Sequence, residues 1–422
     1  MKLSPKKMAG VLPAVTAKAS GHRLLLAAAL SDTPCLVKMN GPYSDDLLAT
    51  MDGIRALGGS VTLTEEGALV TPVAKDKTSV ELFANESGTT ARFLLPVASA
   101  LCDEVTLSGA GKLPFRPFIP LTDAMALGGV ETTFPDSGAF LPLQTKGRLQ
   151  AAEFLLPGNI SSQYISGLLF ALPLLGGGSI CLTTPLESEP YVFMTIAVLR
   201  RFGVSVTEHY EGEHRIFQTS GNYQAPSAVQ AEGDWSAAAF YLAAGSFGGP
   251  VTLTGLSEES EQGDQKILAL LEESGARVER FEDRISVAYK ENNPFVCSAE
   301  QIPDLVPILA VRAAAAKGES RIHSCGRLRI KESDRLAAVV DLITSLGGEA
   351  FCEGDTLIIR GKGTLSGGVA KLPFDHRIVM SAAVASCICE NEVFLSNTAS
   401  VSKSDPAFFA RLEAIGGKID RF

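Results

Sequence analysis

In RALGGSVTL, residues 55–63, a helical run ends at two glycines and a β-branched strand follows directly. The same junction recurs as MALGGVETT from Met125, RRFGVSVTE from Arg200, EESGARVER from Glu272, TSLGGEAFC from Thr344 and EAIGGKIDR from Glu413. The glycines nearest the strands are residues 59, 129, 203, 275, 348 and 417, about 70 residues apart, which indicates an internal repeat. We expect each at the C′ position of a helix, because a left-handed residue there closes the last turn.

The repeat predicts the architecture of the chain. Six units of about 70 residues fill the 422 residues, and each has room for about two helices and four short strands. Each unit is therefore expected to be a small α/β subdomain. Six subdomains exceed one core of ordinary size, so we predict two lobes of three subdomains with a cleft between them. The chain is expected to cross between lobes near Glu232, where Asp234 can cap a helix that begins at Trp235.

Composition limits the class of protein and its partners. Hydrophobic residues make up 46% and charged residues 20% of the chain, as in soluble globular proteins. The net charge of −10 provides no global attraction for nucleic acid or an anionic membrane, and no apolar stretch reaches the length of a membrane span. The eight cysteines form no CxxC pair and the five histidines no HExxH motif, so we expect free thiols in a cytoplasmic protein and no metal site.

Basic residues gather where helices are predicted to begin. A helix N-terminus already carries partial positive charge, so a cation there is unfavourable unless an anion binds. Four such helix starts in one chain therefore favour phosphate or carboxylate binding without a metal. The basic residues and their predicted caps are Arg329, Lys331 and Arg335 around Ser333 or Asp334, Arg377 after Asp375, Lys403 before Ser404 or Asp405, and Arg92 after the glycine and threonines of NESGTTARF.

Two acidic residues stand out near these cations. Asp304 is placed at a predicted helix start, where its structural role would be an N-cap. Glu332 is adjacent to Lys331 and three residues before Arg335, so one turn would hold a carboxylate among cations. Carboxyl groups in such surroundings can have shifted pKa values, which makes both acids candidates for proton transfer.

Several motifs resemble the 5-enolpyruvylshikimate-3-phosphate synthase family, in order and over essentially the whole chain. They are residues 18–23, ESGTTARF from Glu86, GNISSQYISGLLFALPLL from Gly158, RIKESDRL from Arg329, DHR from Asp375 and KSDPAFF from Lys403. The resemblance implies a two-lobed inverted α/β barrel in which the chain crosses between lobes near Val15 and Glu232. One lobe, residues 15–231, would mainly bind shikimate 3-phosphate. The other, residues 1–14 and 232–422, would mainly bind phosphoenolpyruvate and carry the catalytic acids.

The implied reaction transfers the enolpyruvyl group of phosphoenolpyruvate to the 5-hydroxyl of shikimate 3-phosphate and releases phosphate, a step of the shikimate pathway to chorismate and the aromatic amino acids. The resemblance implies these two small molecules as partners and no cofactor, and we expect a monomer. Asp304 would be the base for the hydroxyl, Glu332 the acid that protonates the methylene carbon, and Lys18 a catalytic residue that stabilises charge.

The resemblance also implies the binding residues. Those for phosphoenolpyruvate are Lys18, Gly88, Arg92, Arg116, Gln163, Arg335, Arg377 and Lys403. Those for shikimate 3-phosphate are Lys18, Arg23, Ser161, Ser162, Gln163, Ser188, Tyr191, Asp304 and Lys331, with Arg23 at the carboxylate, Tyr191 beneath the ring and the serines at the phosphate. The family's inhibitor glyphosate would occupy the phosphoenolpyruvate pocket.

The chain departs from the family pattern at one binding motif. A Ser-Lys-Ser triplet is usual before the first arginine, whereas this chain has Ala17, Lys18 and Ala19. The second serine normally helps to bind the shikimate carboxylate, and a lost hydrogen bond to a charged group lowers affinity roughly 10- to 150-fold. Glu86 also stands where many relatives have Asn. Two alternatives follow: a UDP-N-acetylglucosamine enolpyruvyl transferase of the same fold, and a catalytically weakened anion-binding homologue.

Overall fold

The computed structural model describes all 422 residues, which form two compact units. Unit 1 comprises Met1–Ala17 and Glu232–Phe422, and unit 2 comprises Lys18–Ala231. The first passage of the chain between units follows Ala17, whereas the sequence placed it near Val15. Residues 15–17 stay with unit 1 because Asp234 N donates to Val15 O and Ala17 N donates to Glu232 O, both at 2.8 Å.

The units contain twelve α-helices, six in each. They are α1 (Lys18–Leu30), α2 (Asp45–Ala56), α3 (Gly88–Leu101), α4 (Ile119–Leu127), α5 (Ser162–Ala171), α6 (Glu189–Arg201), α7 (Trp235–Gly245), α8 (Ile267–Glu273), α9 (Val306–Ala314), α10 (Arg335–Ser345), α11 (His376–Ala385) and α12 (Phe408–Ala414).

The strands are short and number twenty-four. They are β1 (Lys2–Ser4), β2 (Gly10–Pro13), β3 (Cys35–Lys38), β4 (Ser60–Thr64), β5 (Gly67–Thr71), β6 (Lys77–Phe83), β7 (Cys102–Ser108), β8 (Glu131–Thr133), β9 (Leu143–Lys146), β10 (Glu153–Leu156), β11 (Gly178–Leu182), β12 (Ser205–Glu211), β13 (His214–Ser220), β14 (Ala228–Gln230), β15 (Val251–Thr254), β16 (Arg277–Arg280), β17 (Arg284–Ala288), β18 (Val296–Ser298), β19 (Lys317–His323), β20 (Glu349–Glu353), β21 (Thr356–Lys362), β22 (Gly368–Val369), β23 (Val393–Phe394) and β24 (Lys418–Asp420).

Six four-stranded sheets confirm the predicted sixfold repeat, with three sheets in each unit. Every sheet has the same plan, a parallel pair extended by two antiparallel strands, as in β6, β7, β9 and β8. The N-terminal strands complete sheets of unit 1, since β2 pairs in parallel with β15 and β1 lies between β23 and β24. The predicted subdomain of two helices and four strands is therefore the repeating unit.

Alternate helices form the buried centre of each unit. In unit 2 these are α1, α3 and α5, and in unit 1 they are α7, α9 and α11, all buried along nearly their whole length. A helix that is apolar on all sides is stable only when it is surrounded by other elements. Gly167 of α5 allows a close approach to α3, because a Cβ there would lie 2.2 Å from Arg92 O. This contact brings the first turns of α3 and α5 together.

The other six helices end as the repeat predicts, with a correction of one residue in three of them. The residues in the left-handed conformation just after these helices are Gly58, Gly129, Gly203, Gly275, Gly347 and Gly416. Residues 59, 348 and 417 were predicted, but in these three double glycines the first one closes the helix. The second glycine instead fits a close contact, as at Gly59, where a Cβ would lie 2.9 Å from Thr71 O.

Three predicted helix caps are confirmed, and the one expected at Ser404 or Asp405 is wrong. Asp234, Asp334 and Asp375 each accept a hydrogen bond from a backbone N–H in the first turn of α7, α10 and α11. The helix expected from Ser404 or Asp405 begins only at Phe408. Its cap is displaced because the carboxylate of Asp405 accepts bonds from both Ala407 N and the Tyr241 hydroxyl.

The cysteines and the helix lengths bear on two further expectations. All eight cysteines are free thiols, and six of them are buried. None of the helices combines the length and the apolar character that crossing a bilayer requires.

Candidate active site

In unit 2, the predicted site residues lie at or near the starts of α1, α3, α5 and α6. Lys18 is the first residue of α1, and its Nζ lies 2.9 Å from Asp46 Oδ2 on α2. Asp46 is itself buried, and its backbone carbonyl accepts a bond from the Thr90 hydroxyl. The lysine ammonium is therefore fixed by a carboxylate on the neighbouring helix.

A second group in unit 2 joins the starts of α3 and α5. Arg92 Nη1 donates to Gln163 Oε1 at 2.6 Å, and Gln163 Nε2 donates to Thr89 Oγ1 at 2.8 Å. A Cβ at Gly88 would lie 2.7 Å from Arg116 Nη1 and 3.4 Å from Arg92 Nη1. The structure thus brings together Gly88, Arg92, Arg116 and Gln163, four residues expected to face one substrate.

Arg23 links α1 to α6 in unit 2. Its Nε donates to Thr195 Oγ1 at 2.8 Å, and its two terminal nitrogens donate to Ala19 O at 2.7 Å and Tyr191 O at 2.8 Å. Tyr191 N in turn donates to the carbonyl of Ser188, which adopts a left-handed conformation just before α6. Arg23, Tyr191 and Ser188 are therefore neighbours although they are far apart in sequence.

The serines at the start of α5 have the expected local role. Ser161 is the N-cap, and its hydroxyl accepts from Gln163 N at 3.3 Å. Ser162 is the first helical residue and is buried. Because Gln163 bonds to Arg92, these serines lie beside the arginine group. Backbone N–H groups at such a helix start can bind a phosphate.

In unit 1, three acids surround one buried arginine. Arg335 is 1% exposed and donates to Asp304 Oδ1 at 2.7 Å, Glu332 Oε2 at 2.5 Å and Asp375 Oδ2 at 3.1 Å. Arg377 Nη2 donates to the other oxygen of Asp304 at 3.2 Å. The network joins residues placed before α9, before α10 and at the start of α11.

The prediction that Asp304 caps a helix is wrong. Helix α9 begins at Val306, and its N-cap is Leu305, which makes no side-chain cap bond. Asp304 precedes that cap, and its two carboxylate oxygens accept bonds from Arg335 and Arg377. Two guanidinium groups bind a partly buried carboxylate more strongly than one backbone N–H does, because both donors are charged.

Two titrating groups at this site, Asp304 and Lys331, have shifted pKa values. Burial alone would raise the pKa of Asp304, but Arg377, Lys331 and Arg335 outweigh it and lower that pKa well below its usual range. Burial, with Arg327 and Arg335, lowers the pKa of Lys331 to about 8, while Asp304 and Glu332 oppose the fall. Asp304 is thus ionised and Lys331 lies close to losing its proton near neutral pH.

Lys403 lies apart from these direct bonds. It is buried at the end of a 3₁₀ helix, Thr398–Lys403, that packs against α11. Helix α11 also carries Arg377, but the bonds described above do not include Lys403. No group of three or more His, Cys, Asp or Glu side chains is arranged to hold a metal ion.

Sequence reasoning missed three groups that position the predicted residues. Asp46 binds Lys18, Thr195 binds Arg23, and Asp375 binds Arg335 as well as capping α11. Asp375 was noticed as a cap, but its second role depends on Arg335, 40 residues earlier. Neither Asp46 nor Thr195 lies in a motif that distinguishes it from an ordinary helix residue.

The fold is that of the enolpyruvyl transferases. The enolpyruvyl transferase NikO from Streptomyces tendae matches 99% of this chain and 98% of its own, with a TM-score of 0.78 and 18% identity. A solved EPSP synthase from Acinetobacter baumannii matches 100% of this chain and 99% of its own, with a TM-score of 0.79 and 23% identity.

Sequence comparison specifies the family. The model described as EPSP synthase (3-phosphoshikimate 1-carboxyvinyltransferase) matches residues 3–412, and the chain belongs to this family. Proteins named 3-phosphoshikimate 1-carboxyvinyltransferase are similar to it along nearly their full length. One from Clostridium perfringens is 36% identical over 98% of both chains, and one from Clostridium acetobutylicum is 38% identical over 99% of this chain and 98% of its own.

Proposed function

We propose that this protein transfers the enolpyruvyl group of phosphoenolpyruvate to the 5-hydroxyl of shikimate 3-phosphate and releases phosphate. The single observation that carries the proposal is the network of Asp304, Glu332, Arg335 and Arg377, which holds two carboxylates among cations. An addition and elimination that needs both a base and an acid can use two carboxyl groups held in different environments.

Unit 2 supplies the proposed binding groups for shikimate 3-phosphate. Arg23 would bind the shikimate carboxylate, and the start of α5 with Ser188 would bind the phosphate. Arg23 is fixed by three bonds to uncharged oxygens, so it is oriented in advance and loses little freedom when a carboxylate binds. Gly88, Arg92, Arg116 and Gln163 form the proposed phosphoenolpyruvate pocket on this unit.

Unit 1 supplies the proposed acid and base, and binding of phosphoenolpyruvate would change the pKa of the base, Asp304. Arg335 and Arg377 both hold Asp304, which keeps its pKa too low for a good base. When the carboxylate and phosphate of phosphoenolpyruvate bind to these arginines, they compete with Asp304 for the same donors. The pKa of Asp304 then rises toward the value that proton abstraction needs. Basicity would appear only once substrate is bound.

The proposed reaction has two steps. Glu332 donates a proton to the methylene carbon, the bond from the 5-hydroxyl oxygen to C2 forms, and Asp304 takes the hydroxyl proton. In the second step the C2–O bond to phosphate breaks, a proton leaves the new methyl group for Glu332, which regenerates the double bond, and Asp304 gives its proton to the departing phosphate. Lys18 and Lys331 stabilise the negative charge on that phosphate as it leaves.

Steady-state phosphate release tests the proposal. Purified protein with shikimate 3-phosphate and phosphoenolpyruvate should release phosphate, and UDP-N-acetylglucosamine should not replace the first substrate. Release only with the sugar nucleotide would identify the other transferase of this fold. Absence of release with either acceptor, while phosphoenolpyruvate still binds, would identify an anion-binding homologue. The cytoplasmic location and the monomeric state stay predictions.

A further inference from the structure

Asp264 is a buried carboxyl group that the proposed mechanism does not use. It lies in a 3₁₀ turn, Gly263–Lys266, and is 2% exposed. One carboxylate oxygen accepts a hydrogen bond from the hydroxyl of Ser236, in the first turn of α7. The other oxygen, Oδ1, is buried and has no hydrogen-bond partner. An isolated buried oxygen of this kind is costly when the group is ionised.

The turn that carries Asp264 lies beside the acid and base network. It packs against α7, and α7, α9 and α11 pack against one another. Ser236 is at the start of α7, Asp304 is just before α9, and Arg377 is at the start of α11. The preceding Gln262 fixes the turn, since its amide accepts from Trp235 N at 3.0 Å and donates to Gly233 O at 2.8 Å.

We propose that Asp264 is a positioning residue whose carboxyl group, held by Ser236, sets the charge around Asp304 and Arg377 and so controls the affinity for phosphoenolpyruvate. This inference rests on the proposed function. When Asp264 is neutral, Arg377 has Asp304 as its anionic neighbour and can exchange it for substrate. When Asp264 is ionised, a second negative charge competes with phosphoenolpyruvate for Arg377.

The Asp264 carboxyl group ionises within the physiological pH range. Burial, followed by the negative charge of Asp304, raises the pKa of Asp264 to about 7, while Arg377 and the Ser236 hydroxyl oppose the rise. From α7, the charged group that faces Asp264 is Asp234, which also raises its pKa. Helix α8 packs on the same turn, but its ionisable residues, Glu272 and Glu273, are at its far end.

The test compares the Michaelis constant for phosphoenolpyruvate in wild type and Asp264→Asn from pH 5.5 to pH 8, with shikimate 3-phosphate saturating. The amide imitates the neutral acid, so the two constants should agree at pH 5.5, and the wild-type value should be about 3- to 10-fold higher at pH 8. The ratio of the two constants cancels the titration of the substrate itself. A ratio that does not change with pH would overturn the proposal.

Ser236→Ala provides a second variant in case the amide disturbs folding. The hydroxyl stabilises the ionised carboxylate, so its removal should move the inflection to higher pH. An unchanged or lower inflection would contradict the proposal. Asp405→Asn is the matched control, because Asp405 is also a buried acid of unit 1 that accepts a hydroxyl bond, but its charged neighbours are Arg411 and Asp234. This control should leave the inflection in place.

A measurement without substrate separates this inference from the proposed function. A carboxyl group with a raised pKa lowers the stability of the folded state as pH rises from its unfolded pKa, about 4, to its folded pKa, about 7. The melting temperature of Asp264→Asn relative to wild type should therefore rise over that interval. If wild type releases no phosphate but this rise is seen, the proposed function fails and the ionisation of Asp264 stands. A flat difference overturns the role of Asp264 even in an active enzyme.

Discussion

The two units use basic side chains in different ways. In unit 2, the bonds of Arg23 and Arg92 run to hydroxyl, amide and carbonyl oxygens. In unit 1, Arg335 and Arg377 bond to carboxylates. A bond to a neutral oxygen orients a guanidinium without cancelling its charge, whereas a bond to a carboxylate does both. The bonds described for these two arginines of unit 2 thus suit them to receive an anion, whereas Arg335 and Arg377 of unit 1, like Lys18 with Asp46 in unit 2, form ion pairs that an anion must exchange.

The largest effect on kcat should come from removing a carboxyl group from the unit 1 network. Asp304→Ala or Glu332→Ala should lower kcat by at least about 10²-fold while the protein stays folded, because each removes a group positioned for proton transfer. Phosphate release measures kcat, and circular dichroism checks folding. A near-native kcat in either variant would remove that residue from the mechanism.

Glu319 offers a matched control for these two variants. It too accepts bonds from two arginines, Arg321 at 2.9 Å and Arg360 at 3.0 Å, but it lies in a partly exposed cluster on β19. Glu319→Ala should leave kcat unchanged. An equal loss of kcat in this variant would mean that any acid between two arginines matters for folding, and that the effect at Asp304 is not specific.

The pH profile should show the next effect, also in unit 1. Lys331 has a pKa lowered to about 8, so its charged form is lost as pH rises through that value. The kcat/KM for shikimate 3-phosphate reports the free enzyme and should fall about tenfold per pH unit above pH 8, or roughly 100-fold at pH 10.

Lys331→Arg separates this residue from other groups that titrate at high pH. Arginine stays protonated over the whole range, so the decline above pH 8 should disappear in the variant even if its maximal kcat/KM is lower. If the decline persists with the same midpoint, Lys331 is not the group responsible, and the charge on this side chain is not needed for binding.

The repeat made the fold predictable from the sequence, whereas the pairing of charged side chains within the candidate site could not be predicted. The glycine after every second helix is a local signal, so the six subdomains could be counted, and only the choice between neighbouring glycines failed, at residues 58/59, 347/348 and 416/417. At the first of these pairs, Thr71 O approaches from β5 and crowds the second glycine. The glycine pair therefore predicts the turn after the helix, but a tertiary contact determines which of the two glycines adopts the left-handed conformation.

The candidate site shows the limit of local signals more clearly. Asp304 precedes a helix, which is the pattern of a cap, but Arg335 and Arg377 reach it from 31 and 73 residues away. No sequence motif distinguishes Asp264, because its proposed positioning role depends on burial beside other charged groups. Charges that meet only through the packing of α7, α9 and α11 cannot be paired from spacing along the chain.

Gly88→Ala should sharpen the picture of unit 2 as a preformed receptor. The added Cβ would lie 2.7 Å from Arg116 Nη1 and 3.2 Å from its Cζ, so the guanidinium must move. The loss of one bond to a charged substrate should raise the Michaelis constant for phosphoenolpyruvate roughly 10- to 100-fold. The inhibitory concentration of glyphosate should rise as well. Unchanged inhibition would place the phosphoenolpyruvate pocket elsewhere.

The smallest effect should be a gain, at the position where unit 2 departs from its relatives. Ala19 O accepts a bond from Arg23 Nη1 at 2.7 Å, so a hydroxyl at residue 19 would lie near the group proposed to bind the shikimate carboxylate. Ala19→Ser should therefore lower the Michaelis constant for shikimate 3-phosphate about tenfold, the lower end for a bond to a charged group.

Ala17→Ser shows whether that gain depends on position or only on a hydroxyl in the motif. Ala17 is fully buried, so a hydroxyl there would have to leave water and should cost about 1–3 kcal/mol of stability. The Michaelis constant for shikimate 3-phosphate should not improve in this variant. If both serines improve it equally, the gain depends only on a hydroxyl in the motif and not on its position. If Ala19→Ser has no effect, Arg23 and the groups around it already bind the carboxylate fully. The receptor of unit 2 would then be complete without the serine that its relatives have.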